Sequence, residues 1–199
     1  MKRLLLSVVT VILLISNSYG VTYNSDPKIF ISELVDDAIK TLSDKSLTQE
    51  EKNKTIEKIA RENVDIKALG MYTLGKLRDE IEDSDLNKYN ELFEKYFLKS
   101  LTSRLTDYSS QKFEIIGSDQ KNAKYTIVRS KITASSTQPE IKVDWRVYTK
   151  DPKKPLIRDL IVEGLSLART QKEEFASILN SNNNEFNVLL KKLQEFVSN

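Results

Sequence analysis

Glu163, Gly164 and Ser166 place a carboxylate and a hydroxyl around one glycine. A hydrolytic site needs such groups close together, but it also needs a base that can take the serine proton. The chain has no His and no Cys in 199 residues. That excludes Ser-His-Asp and Cys-His nucleophile pairs, thiolate redox centres and zinc sites of the usual ligand set. Carboxylates alone could still hold a metal, since Asp plus Glu number 29. The adjacent pairs Asp36-Asp37 and Glu173-Glu174 sit among lysines on helical patterns, where a solvated face accounts for them. The Glu163 turn has an equally simple account: Ser166 caps a following helix and Glu163 ties down the turn.

Two further motifs invite chemistry. Gly70-Met71-Tyr72-Thr73-Leu74-Gly75-Lys76 has the spacing of a phosphate-binding loop through its lysine. Leu77 then stands where a hydroxyl should hold magnesium, no strand precedes the glycine, and the flanks read as helix, so a nucleotide loop is rejected. The stripe Tyr89, Phe93, Tyr96, Phe97 is either core packing or the wall of a pocket, and spacing alone leaves both open.

The elements that must position these residues follow from periodicity and caps. Asp26-Pro27 opens a helix carrying Phe30, Ile31, Leu34, Val35, Ala38, Ile39 and Leu42 at three- and four-residue spacing. Thr48-x-x-Glu51 is a capping box for a second helix with Ile56, Ile59 and Ala60. Asp65 caps a short third helix, and Ser84 is expected to cap a long fourth one running past Leu101 and Leu105 to Tyr108. The period then shortens. Lys112 to Gly117 and Lys124 to Thr133 are β-prone, Ile141, Val143, Trp145 and Val147 alternate with polar neighbours, and Leu156 to Glu163 makes a fourth strand. Helix returns at Ser166 and, after Asn182-Asn183-Asn184, at Phe186. Helices, a meander, then helices predict an α+β domain and not a βαβ fold.

Residues 1–20 read as a cleaved export signal: Lys2 and Arg3, an apolar run from Leu4 to Ile15, and Ser18 and Gly20 before the cut. The run is too short for ~30 Å of hydrocarbon. Residues 21–199 then form a single domain, soluble after cleavage. Lys2 and Arg3 account for the whole surplus of 31 basic over 29 acidic residues. The remaining chain is neutral by count, which removes the main support for nucleic-acid binding.

In order along about 130 residues, several features resemble the MlaC family, the toluene-tolerance type of periplasmic phospholipid-binding proteins. Asp65 precedes Leu74-Gly75-x-x-Arg78, a long helix with spaced aromatics ends near Leu105-x-x-Tyr108, and Glu174-Phe175 is followed one turn on by Ile178-Leu179. The most specific feature is Asp159-Leu160-Ile161-Val162-Glu163-Gly164-Leu165-Ser166-Leu167, similar to the family's Asp, apolar run, Glu-Gly-apolar-Ser-apolar turn. Leu77, Pro155, Lys172 and Asn182 to Asn184 depart from the family's usual residues.

The resemblance implies a twisted antiparallel four- to five-strand sheet packed against a layer of N- and C-terminal helices, with an apolar cavity between them. It implies a soluble periplasmic carrier that shuttles glycerophospholipid and so maintains outer-membrane lipid asymmetry. The implied partners are an outer-membrane lipoprotein-porin complex and an inner-membrane ABC transporter with a lipid-binding ring. It implies no catalysis, no metal and no cofactor, the phospholipid being cargo, and a monomer as the working form. On this basis Phe93, Phe97, Leu101, Ile127, Trp145, Val147, Leu160 and Val162 are expected to line the acyl tails, with Tyr108 and Tyr125 nearer the mouth. Val147→Glu is expected to empty the pocket while leaving the fold intact. Two other classes remain: a lipid hydrolase, which needs a nucleophile with a base other than His, and a non-lipid periplasmic binding or assembly factor on the same scaffold.

Overall fold

Asp26 and Pro27 begin the first helix as their types dictate. The computed structural model of the protein describes residues 23–105, 112–133 and 139–199. The proposed export signal and Tyr108 lie outside the described residues. Helix α1 runs Pro27–Ser43, with Asp26 Oδ1 accepting from the backbone N–H of Lys28 and Ile29 at 2.9 and 3.0 Å. The capping box forms at the start of α2 (Gln49–Asn63): Thr48 N–H donates to Glu51 Oε2 at 2.8 Å, and Glu51 N–H to Thr48 Oγ1 at 3.3 Å. Asp65 caps α3 (Ile66–Leu74) through Ala68 N–H at 3.2 Å. A 3₁₀ turn, Gly75–Asp79, leads to α4 (Asp83–Leu105).

Ser84 is not the cap of α4. The helix begins one residue earlier, with Leu86 N–H already bonded to Glu82 C=O at 2.9 Å. Asp83 and Asp85 occupy the first turn, where carboxylates complement the helix dipole. Ser84, Asp83 and Asp85 are all good cap residues, so type alone does not choose among them.

Five strands follow: β1 (Phe113–Asn122), β2 (Tyr125–Ile132), β3 (Ile141–Tyr148), β4 (Leu156–Val162) and the two-residue β5 (Leu165–Ser166). They form one antiparallel sheet in sequence order, β1-β2-β3-β4-β5. The register of β1 on β2 shifts twice, between Ile115 and Gly117 and between Gln120 and Asn122. That of β3 on β4 shifts at Arg146 and Val147. Helix α5 (Leu167–Asn180) leaves β5 directly, capped by Ser166 Oγ, and α6 (Phe186–Ser198) ends the chain. Asn183 and Asn184 between them adopt φ of 54° and 60°, a region asparagine tolerates better than most residues.

The apolar residues gather in two clusters. One joins α3, α4, α5 and α6 around Tyr89, Phe93, Leu98, Phe175, Leu189 and Leu193. The other lies between α1 and the sheet, with Phe30, Ile31 and Leu34 against Val128, Val147 and Ile157. Gly70 belongs to the first. It sits inside α3, and a Cβ there would stand 2.9 Å from Phe93 Cδ1. The phosphate-loop spacing is therefore a helix-packing glycine followed by a C-cap, Gly75, at φ 60°.

Candidate functional site

Register decides which strand residues can share a pocket. Directly opposed residues of an antiparallel pair point to the same side, and neighbours along a strand to opposite sides. Val128 opposes Trp145, Trp145 opposes Leu160, and Val143 opposes Val162, so these residues share one face. Phe113 opposes Ile132, and Ile132 opposes Ile141, adding an apolar row at one end of that face. The other face carries Arg129, Lys131, Lys142, Asp144, Arg146 and Asp159. Each strand thus has one apolar and one charged side, and α1 covers the apolar one.

The cover is uneven. At the Val128–Val147 end, Phe30, Ile31, Leu34 and their sheet partners are buried. Toward its C-terminus α1 presents Val35, Ala38 and Ile39, all half-buried. The facing Phe113, Ile115, Trp145 and Leu160 are half-buried too. There the edge opens into a shallow hollow of about 440 Å³ lined by Asp36, Ile39, Lys112, Phe113, Glu114 and Thr133. Trp145 does not line the hollow itself but packs behind Phe113, and it is held in place. The indole N–H donates to Ser130 Oγ at 2.8 Å, Ser130 donates onward to Val143 C=O at 2.7 Å, and the Phe113 ring meets the indole edge-on with centroids 6.1 Å apart. With its one polar atom satisfied, the indole offers the rest of its surface as an apolar wall.

The residues singled out from sequence separate into groups. Trp145, Val147 and Leu160 come together in the α1–sheet layer, and Val162 shares their face. Val147 is fully buried, against Phe30, Ile31 and Ile157. A glutamate there would place a carboxylate in an apolar interior without a partner, so the expectation that Val147→Glu leaves the fold intact is corrected. Phe93, Phe97 and Leu101 belong to the helical cluster, where Phe93 packs edge-on against Phe175 at 6.2 Å. Ile127 opposes Arg146 and so sits on the other face, where it is buried. Tyr125 accepts a hydrogen bond from Arg158 at 3.0 Å, and Tyr108 lies outside the described residues. Phe113, Ile115 and Ile39 were not anticipated. A register shift follows Ile115, and the neighbouring Ile116 is exposed, so the run Phe113-Glu114-Ile115-Ile116 does not by itself say which isoleucine packs toward α1.

The Glu163 turn is structural. Glu163 and Gly164 have φ of 49° and 83°, the signs a two-residue hairpin turn of the primed type requires. The Glu163 carboxylate accepts from Lys142 N–H. Ser166 is engaged on both sides: its hydroxyl donates to Asp159 Oδ2 at 2.6 Å, and its oxygen accepts from Arg169 N–H at 3.1 Å. Asp159, 3% exposed, also accepts from Ala168 N–H at 3.0 Å and faces Arg146 at 3.5 Å. A buried carboxylate with three such partners is stabilised in place, and it anchors the turn, β5 and the start of α5 together. On the opposite side of the gap, burial and the neighbouring Asp37 carboxylate push the Tyr23 phenol well above its ordinary value, and Tyr23 donates to Asp37 at 3.1 Å.

Among the described residues, no three His, Cys, Asp or Glu side chains gather closely enough to hold a metal ion, and no helix is long and apolar enough to cross a membrane. A second hollow, of about 230 Å³, lies on the charged face beside Arg129, Lys142, Asp144 and Glu163.

Comparison with known proteins adds two findings. The family model described as MlaC protein matches residues 32–195. Among solved structures, the fold is similar to that of the phospholipid-binding protein from Ralstonia solanacearum, determined in complex with a phospholipid, with a TM-score of 0.69 over 84% of this chain and 94% of that one. At 18% identity this likeness is one of fold. No curated protein matches the chain significantly.

Proposed function

The chain belongs to the MlaC family, and from that premise we propose that it is a soluble periplasmic carrier of phospholipid. It takes glycerophospholipid between an outer-membrane lipoprotein-porin complex and an inner-membrane ABC transporter with a lipid-binding ring, and so keeps the outer membrane asymmetric. Residues 1–20 act as its export signal, and residues 21–199 are one lipid-binding domain that works as a monomer. The role needs no bond-breaking.

The observation that carries this reading is the partly open gap between α1 and the apolar sheet face. Supporting it, the similar fold from Ralstonia solanacearum is that of a phospholipid-binding protein solved with its lipid. Burying a methylene contributes about 0.8 kcal/mol, so a sixteen-carbon tail gains on the order of 12 kcal/mol on leaving water. A carrier must offer nearly the same gain, since the tail begins in a bilayer, and must not exceed it by much if the lipid is to leave again. Half-buried apolar residues meet both demands, because they form part of the core when empty and become fully covered when loaded. Trp145, Leu160 and Val162 line the tails in this reading, with Phe113 and Ile39 at the mouth and Val147 closing the deep end.

Organic extraction of the purified protein followed by mass spectrometry tests the proposal. Intact phospholipid in stoichiometric amount is the expected result. Lysolipid with free fatty acid would point to hydrolysis, and protein without lipid to a binding or assembly role on the same scaffold.

A further inference from the structure

The mouth of the gap carries charge of both signs. Of the three charged residues that line it among the described ones, Glu114 is engaged by Lys131 at 3.5 Å. Asp36 and Lys112 are exposed, and neither side chain has an ion-pair or hydrogen-bond partner among the described residues. They come from different elements, α1 and the residue before β1, and they are not paired with each other. Most other charges of the sheet are matched: Arg129 with Asp119, Lys131 with Glu114 and Glu140, and Arg146 with Asp159. Two unmatched, opposite charges on one hollow next to an apolar gap are complementary to a ligand bearing both charges at the end of an apolar body.

We propose that the mouth selects zwitterionic aminophospholipid, the ethanolamine type, over anionic phospholipid. The inference rests on the carrier reading above and concerns only which headgroup the carrier prefers. The phosphate meets the Lys112 ammonium, and the headgroup amine meets the Asp36 carboxylate. A glycerol headgroup carries the phosphate without the amine. It satisfies Lys112 and leaves Asp36 facing net negative charge, with Glu114 nearby adding to the repulsion. Both sites are solvated, so the discrimination is modest. An exposed ion pair is worth a fraction of the tenfold step, and a preference of about threefold is expected. Salt weakens it, because screening shortens the reach of exposed charges to about 8 Å at physiological ionic strength.

The test loads lipid-free protein from vesicles of equimolar phosphatidylethanolamine and phosphatidylglycerol, reisolates it, and measures the ratio of the two lipids bound. The expected ratio is about three to one for phosphatidylethanolamine. Asp36→Lys should bring it to one or below, and Lys112→Glu should raise it. Both positions are exposed, and circular dichroism of each variant verifies the fold. Bound lipid at the vesicle ratio, or a ratio that Asp36→Lys leaves unchanged, overturns the headgroup inference alone. Protein recovered with no lipid from any vesicle removes the carrier reading and this inference with it.

Discussion

Arg158 reaches across 93 residues of sequence to grip Asp65, with Nε at 2.8 Å and a terminal nitrogen at 2.7 Å from the same carboxylate oxygen. The guanidinium also lies 3.5 Å over the Tyr148 ring and donates to Tyr125 Oη at 3.0 Å. Burial opposes its charge, but the bonds to Tyr125 and Asp65 outweigh that and leave its pKa raised. Because Asp65 also caps α3, and its N–H bonds to Ile157 C=O at 2.9 Å, this pair fastens the helical cluster to β4.

Asp65→Ala should therefore cost more than Arg158→Ala. The first removes a helix cap, worth about 1 kcal/mol, and a charge-assisted contact, worth about 2 kcal/mol, while leaving the guanidinium half-buried without its anion. The second leaves the cap in place. Urea unfolding of the two variants and the double mutant measures the order. Equal losses in the single mutants would mean that Arg158's bond to Tyr125 and its stacking over Tyr148 are worth as much as the cap.

Val147→Glu should abolish cooperative folding, whereas Ile39→Asp should fold and bind less lipid. Val147 is fully buried, and an unpartnered carboxylate in an apolar interior costs several kcal/mol, comparable with the whole stability of a domain this size. Ile39 is half-buried at the mouth, so its aspartate stays solvated. Thermal unfolding with lipid quantification separates the two, and a severalfold loss of lipid at near-normal melting temperature is expected for Ile39→Asp.

Gly70→Ala should destabilise by about 1 kcal/mol although it improves helix propensity. Replacing a helical glycine by alanine gains about 1 kcal/mol. The new Cβ would meet the Phe93 ring at 2.9 Å, and Phe93 is 3% exposed with no room to turn. Overpacking of this kind costs about 1–3 kcal/mol and outweighs the propensity. A chemical denaturation midpoint at or above wild type would show that α3 and α4 separate more easily than their packing implies.

Stability should fall as pH rises above about 10. Burial raises the Tyr89 phenol above its ordinary value, and its hydroxyl is held by Thr73 Oγ1 at 2.7 Å and Gly70 C=O at 3.2 Å. In the unfolded chain a tyrosine ionises near pH 10. Below that pH both states keep the proton and the contribution is complete. Above it the unfolded state ionises first and is favoured, so stability declines toward the raised folded value. Urea midpoints from pH 8 to 11 measure the slope, and Tyr89→Phe should flatten it while lowering stability at neutral pH through the lost hydrogen bonds. Tyr23 and Tyr96, raised by burial in the same sense, retain part of the slope.

Caps and periodicity carried most of the fold. Asp26-Pro27, the Thr48–Glu51 box, Asp65 and Ser166 begin helices as their side-chain chemistry requires, and the alternation from Ile141 to Val147 identified the apolar side of β3. The candidate site was less legible for two physical reasons. An aromatic stripe on a helix reads alike whether it faces other helices or a sheet, so spacing alone does not place Phe93, Phe97 and Leu101 in the helical cluster where they pack. Strand pairing is set by register, which a single strand does not encode, so sequence alone does not show that Ile127, though buried, lies on the other face of the sheet from Trp145. The roles of Phe113 and Ile115 were hidden by the bulge that follows them. The Arg158 network joins Asp65 and Tyr125, which are distant in sequence, and spacing within one segment carries no trace of it, whereas the Asp159–Ser166 bond falls inside the Asp159 to Leu167 segment that stood out in the sequence.

The two edges of the sheet are finished differently. Past the short β5, the free side of β4 is occupied by Val64 and Asp65, which bridge to Ile157. The β1 side is interrupted by two register shifts and carries Glu114, Asp119 and Lys121. An interrupted, charged edge is a poor template for another chain's backbone. A chain that leaves apolar residues such as Ile39 and Phe113 half-exposed on and beside α1 is liable to stick to its own copies, and these edges offer no second route to polymerisation.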